Sequence, residues 1–247
     1  MNKASLDGLR SRFEGPGLTL REGRGGQIEA ALEHPRGSVE VSLLGAHVLG
    51  YRPAGQDPVL YLSKQAVFAE GKAIRGGVPL CFPWFGPHPT DAEEPSHGLV
   101  RTRLWDLVGP GDAVGSLRFE TRVGGLGAAF EVALDDRLTM TFEARHAVPE
   151  GPPLRVELAL HSYLAVGDVR EVSISGLEQT DYLDKVDGGV RKTQGDEPVR
   201  FAGEVDRVYL DTSSACVVHD PVLGRSLVVD KEGSRSTVVW NPWIEKA

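Results

Sequence analysis

Short runs of Val, Leu, Ile, Phe and Thr alternate with glycine, proline and polar clusters along the whole chain. Leu138–Ala147 reads LTMTFEARHA and alternates apolar with polar from Leu138 through Phe142. Leu154–Val166 alternates as well, with Leu154, Val156, Leu158 and Leu160 on one side and Arg155, Glu157, Ala159, His161 and Tyr163 on the other. A period of two marks antiparallel strands with one face in the core. Further strands are expected at Val59–Leu62, Thr102–Val108, Ser116–Val123, Phe130–Leu134 and Glu171–Ile174. Val199–Ala202, Ala215–Val218, Ser226–Val229 and Ser236–Trp240 complete the set. Ser38–Tyr51 reads as a strand pair or a bent strand with Gly45 at the bend. Asp220–Gly224, DPVLG, reads as a hairpin turn. A helix is expected only at Ala4–Phe13, with Ser5 as its cap.

These elements predict an all-β, antiparallel sandwich or barrel. The 247 residues, with no repeat or linker, suit a single domain over 1–247, with 1–15 a short helical segment. His161 falls on the polar side of its expected strand. On an exposed sheet it is a surface histidine, and on a concave sheet it lines a groove. The alternation does not choose between them.

Composition narrows the partners. The net charge of -8 argues against general affinity for nucleic acid or an anionic membrane. The two cysteines, Cys81 and Cys216, form no CxxC pair and suggest neither a disulfide framework nor a zinc site. They read as buried thiols of a reducing compartment. The N-terminal stretch has no apolar signal-peptide core, and no apolar run approaches the ~20 residues of a membrane span. A cytoplasmic protein is the expectation.

Candidate chemistry concentrates in Arg75–Arg103, RGGVPLCFPWFGPHPTDAEEPSHGLVRTR. Pro79, Pro83, Pro87 and Pro89 exclude a helix and burden a central strand. The segment is therefore expected to be an ordered loop or edge path. Loops on a rigid scaffold are where binding groups collect. Here they include Arg75, Ser96, His97 and Arg101, with Phe82, Trp84 and Phe85 between them. At least two of these three aromatics are expected to pack into the core.

Five stretches occur in order: RGGVPLCFPWFG, SHGLVRTRLW, ELALHSYL, FAGEVDRVY and VVWNPWIEKA. Together, over roughly Gly37–Ala247, they resemble the glucose-6-phosphate 1-epimerase (hexose-6-phosphate mutarotase) branch of the aldose 1-epimerase family. The resemblance implies a β-supersandwich with a concave sugar-binding groove. It implies interconversion of the α and β anomers of a hexose 6-phosphate, without metal or cofactor, by a protein acting as a monomer. Ring opening needs a proton taken from O1 and a proton given to O5. By resemblance, His161 is the acid at O5. His97, Arg75, Ser96, Arg101 and Asp184 hold the substrate, with His97 also polarising C1–O5. Two arginines suit a 6-phosphate. Ser96 stands where relatives often carry glutamine, so that contact is shortened.

The family's general base is a glutamate on a strand that follows the WNPW-EK block, and this chain stops at Ala247. Glu204 and Glu245 are not read as that base. Three explanations compete: a truncated mutarotase, a short form that binds sugar phosphate with little turnover, or a carboxylate elsewhere acting as base. The first is preferred, and it carries an expectation of low activity and exposed apolar surface. The rival from another class is a non-catalytic carbohydrate-binding β-sandwich.

Overall fold

A computed structural model describes residues 5–111, 115–148, 151 and 153–244. The backbone groups into two compact units, Met1–Ala165 and Val166–Ala247, and each is described by itself.

The first unit opens with helix α1, Leu6–Phe13. The Ser5 hydroxyl accepts from the Gly8 N–H and caps the first turn. Strands β1 (Leu18–Glu22), β2 (Ile28–His34), β3 (Gly37–Ser42) and β4 (His47–Pro53) form one antiparallel meander. Gly45 lies at positive φ in the turn between β3 and β4, so Ser38–Tyr51 is a strand pair. A second meander joins β6 (Asp106–Gly109), β7 (Ser116–Val123), β8 (Leu126–Leu134) and β9 (Leu138–His146). Gly124 and Gly125, both at positive φ, turn β7 into β8, the geometry that tight hairpins favour. Apolar side chains from the two meanders meet in one cluster that includes Val39, Val41, Phe119, Phe130 and Val132. Burying a side chain of this size is worth about 1.5–3 kcal/mol. The cluster also holds Phe82, from the proline-rich segment.

Two short strands, β5 (Leu80–Cys81) and β10 (Ala159–Leu160), pair antiparallel. This corrects the expectation of one long regular strand over Leu154–Val166. The pairing places Glu157 opposite Pro83 and His161 opposite Pro79. The Glu157 N–H reaches the Pro83 carbonyl at 2.9 Å, and the His161 N–H reaches the Pro79 carbonyl at 3.1 Å. Proline has no N–H to return either bond, so the ladder is one-sided at both positions. A second correction follows. Leu154, Val156 and Leu158 are 42%, 39% and 43% exposed, so they do not form a core face. Leu160 alone of that row packs against the core.

The second unit contains two four-stranded antiparallel sheets. One orders β14 (Val199–Arg200), β11 (Ser173–Ser175), β16 (Cys216–Asp220) and β17 (Arg225–Val229). The other orders β13 (Val190–Thr193), β12 (Asp181–Asp184), β15 (Val205–Leu210) and β18 (Ser236–Asn241). The expected turn joins β16 to β17, where the buried Asp220 carboxylate accepts from the Leu223 N–H at 3.0 Å. Both cysteines are buried and unbridged. No helix among the described residues is long and apolar enough to cross a membrane.

Candidate active site

The sugar-ring chemistry expected of His161 requires polar groups that converge on one surface. In the first unit the backbone brings them together. The 161–163 segment lies beside Gly77 and Pro79, with the Tyr163 N–H on the Gly77 carbonyl at 2.9 Å. His161 and Tyr163, two residues apart, stack with ring centroids 4.5 Å apart and 20° between planes. The His97 ring stands edge-on to His161 at 6.4 Å and 90°. Phe85 lies 5.1 Å from His97, tilted by 51°.

His97 is fixed by a two-way link to Gly86. Its N–H donates to the Gly86 carbonyl at 2.7 Å, and its Nδ1 accepts from the Gly86 N–H at 3.1 Å. An accepting Nδ1 leaves the ring proton on Nε2. His97 is thus a neutral ring with one donor to offer. Its backbone is left-handed, φ 65°, which is uncommon outside glycine and recurs at functional sites.

Gly98 follows at φ 74°, against the Phe82 carbonyl. A Cβ there would lie 2.1 Å from the Phe82 oxygen, in a backbone conformation costly for any L side chain. Gly98→Ala is expected to cost about 2 kcal/mol and lower Tm by about 5 °C. A thermal melt of the variant within 1 °C of the wild-type value would contradict this tight fit.

Arg101 sits in a short 3₁₀ turn, Val100–Thr102. Its Nη2 donates to the Ser96 carbonyl at 2.8 Å, so Ser96 contributes a backbone anchor for the guanidinium. The Nε is buried with no partner among the described residues. The charge of Arg101 acts across the whole cluster. His97 is pushed down to about 4, first by burial and then by Arg101. His161 is also lowered, first by burial, with Arg101 adding to the effect. Burial drives the Cys81 thiol up to about 11, against the pull of Arg101, so it stays protonated. Tyr163 is raised by burial and opposed by the nearby charges of Arg75 and Arg101. The site is therefore a set of neutral rings under a cationic field, suited to an anionic ligand that offers hydroxyl groups.

Arg75, His97, Arg101 and the Ser96 backbone belong to the same unit as His161. Phe82 and Trp84 are buried, and Phe85 stays beside His97. Asp184 lies in the second unit. There its carboxylate accepts from Lys192 Nζ at 2.8 Å, and Lys192 holds it below the usual carboxylate range. Two groups went unforeseen. The alternation put Tyr163 on the same side as His161, but no site role was read for it. His47 interrupts the apolar run VSLLGAHVLG, and a lone polar residue there was the available signal.

The first unit thus holds His97, His161 and Arg101 close together on a β-rich scaffold. The aldose 1-epimerase family profile matches residues 29–247. The chain belongs to the aldose 1-epimerase family and hence to the isomerases. It is 34% identical over 233 residues to a protein of Cenchrus ciliaris, spanning 84% of this chain and 68% of that relative. It is 34% identical over 231 residues to a protein of Escherichia coli, spanning 85% and 73%. Both relatives bear the name "Putative glucose-6-phosphate 1-epimerase". The crystal structure titled as a "putative mutarotase" from Salmonella typhimurium matches with a TM-score of 0.83 and 31% identity. That match spans 92% of this chain and 78% of the other.

Proposed function

We propose that this protein interconverts the α and β anomers of a hexose 6-phosphate, on a galactose mutarotase-like β-supersandwich. The observation that carries this reading is the perpendicular His97–His161 pair under the charge of Arg101. On this reading His161 gives a proton to O5 as the ring opens. His97 donates from Nε2 to a ring-side oxygen and polarises C1–O5. Arg75 and Arg101 hold the phosphate, and Ser96 supports Arg101. The family name and the names of the relatives support the substrate class. Asp184 is given a substrate-binding part by resemblance alone. His161 is assigned the acid's part only, and no residue is assigned the base's part.

A second reading, binding of a sugar phosphate without efficient turnover, is favoured by one observation. Both site histidines sit below the ordinary pKa of 6.5. A neutral imidazole donates hydrogen bonds well but transfers a proton poorly.

One assay separates the two. Anomerisation of α-glucose 6-phosphate and of α-glucose is followed by polarimetry, beside a calorimetric binding titration. Catalysis is expected above the spontaneous rate, with preference for the phosphate. Arg101→Gln should lower kcat/KM for glucose 6-phosphate roughly tenfold more than for glucose. Binding with no acceleration would support the second reading. No binding of the phosphate would remove both.

A further inference from the structure

His47 is the first residue of β4, and its side chain is fully buried. Its Nε2 lies 2.7 Å from the Gly76 carbonyl oxygen. A carbonyl only accepts, so Nε2 carries the proton and Nδ1 is a bare lone pair. That Nδ1 is buried with no partner among the described residues. Burial holds the ring neutral, with its pKa down at about 4 and the Arg101 charge adding to the effect. An unmet buried acceptor is costly, and Val48 and Leu49 show that this stretch of strand accepts aliphatic side chains. Core packing alone does not account for an imidazole here. The bond it makes does.

We propose that His47 is a positioning residue whose Nε2–H holds the Gly76 carbonyl and thereby sets the direction in which Arg75 leaves the backbone. The segment needs such a hold. Gly76 and Gly77 both have positive φ, at 107° and 61°. Two consecutive glycines have many alternative conformations open to them. The neighbouring groups are already bonded to the main chain. The Arg75 carbonyl accepts from the Ser63 N–H at 3.1 Å. The Gly77 N–H donates to the Tyr61 carbonyl at 2.7 Å, and the Gly77 carbonyl accepts from Tyr163. The Val78 N–H donates to the Val48 carbonyl at 2.8 Å. The Gly76 carbonyl is the group of this set that a side chain holds. A Cβ on Gly77 would come within 2.8 Å of His47 Nε2 and 2.2 Å of the Val48 carbonyl, so the ring and the glycine fit as a pair. Because the Gly77 carbonyl binds the Tyr163 N–H, the same clamp registers the Arg75 segment against the His161 segment. The functional consequence rests on the reading above that Arg75 contacts the substrate phosphate.

The test compares the wild-type protein with His47→Leu, which keeps bulk and removes the donor, and with His47→Gln, which restores an N–H donor. Four quantities are read, one of them kcat and KM for anomerisation of glucose 6-phosphate. Ring 15N shifts of His47 report the tautomer, the NMR resonance of the Arg75 Nε–H reports its placement, and calorimetry reports glucose 6-phosphate affinity. The expected results are an Nε2–H tautomer, and in His47→Leu a shifted Arg75 resonance with roughly tenfold weaker binding. KM should rise more than kcat falls. His47→Gln should return affinity to within roughly threefold of wild type. An Nδ1–H tautomer would overturn the proposal. So would an unmoved Arg75 resonance in His47→Leu, or a His47→Gln protein in which Arg75 is displaced. If the leucine variant does not fold, the tautomer and the glutamine variant decide the matter. If the wild-type protein binds no hexose phosphate, the proposed function fails, and the Arg75 resonance still tests the clamp.

Discussion

Replacing His161 with alanine is expected to lower the catalysed anomerisation of α-glucose 6-phosphate by roughly 10²–10⁴-fold, the usual contribution of one positioned acid. The loss should fall on kcat, because the imidazole acts on O5 as the ring opens and the phosphate is held elsewhere. The fold should be nearly untouched. His161 keeps its place through its backbone bond to the Pro79 carbonyl, which alanine retains. The stacking on Tyr163 that is lost is worth about 0.5–1.5 kcal/mol. His161→Ala should therefore melt near the wild-type temperature while turning over slowly. The pH profile gives a second readout. The His161 pKa is lowered by burial, and an acid must be protonated to act. The kcat/KM of the wild-type protein should fall as pH rises through a value below 6.5, and His161→Ala should lose that limb. Wild-type rates in the variant would remove His161 from the acid's role.

Several strands of the two meanders were legible because turn residues bound them and apolar positions recur along them. Ser116–Val123 is an example, and in the second unit the turn between β16 and β17 was legible in DPVLG. β1 and β2 escaped notice. β1 is a mostly exposed strand at the start of its sheet. β2 buries Glu29 together with Ala30, Ala31 and Leu32, so no alternation shows. The error at Leu154–Val166 was of another kind. Its own alternation was sound, but whether a strand forms a full ladder depends on its partner. Here the partner carries Pro79 and Pro83 at the positions that must return hydrogen bonds. A pattern read within one segment cannot show that.

The site divides in the same way. His97 and Arg101 stood out because a proline-rich loop has little use for them in a core. The link between His97 and Gly86 could not be read, since it spans a loop whose path depends on Gly98 approaching Phe82. His47 was the least legible. An imidazole in an apolar run looks like ordinary tolerance until its Nε2 is seen on the Gly76 carbonyl.

His47 should also govern how the fold responds to acid. In the unfolded chain a histidine titrates near 6.5, and in the fold His47 is held down at about 4. Between these values the unfolded chain binds the extra proton and the folded chain does not. Stability then falls as pH falls. The contribution is intact above pH 6.5, drains away as pH drops toward 4, and is fully lost below that. A difference of this size corresponds to about 3 kcal/mol from His47 alone. His97, also lowered to about 4, acts in the same direction with a smaller share because it is only half-buried. The lowered aspartates Asp168, Asp181 and Asp184 lose their contributions as pH falls through the ordinary carboxylate range and below it, so the upper part of the window, from 6.5 to about 5, belongs to the histidines. Urea unfolding at a series of pH values across that window gives the slope. Wild type should lose stability steeply, and His47→Leu should show a distinctly flatter profile, whatever its stability at neutral pH. Parallel profiles for the two proteins would mean that the buried ring takes up its proton in the fold as readily as out of it. In that case a neutral imidazole locked onto the Gly76 carbonyl is not what β4 holds.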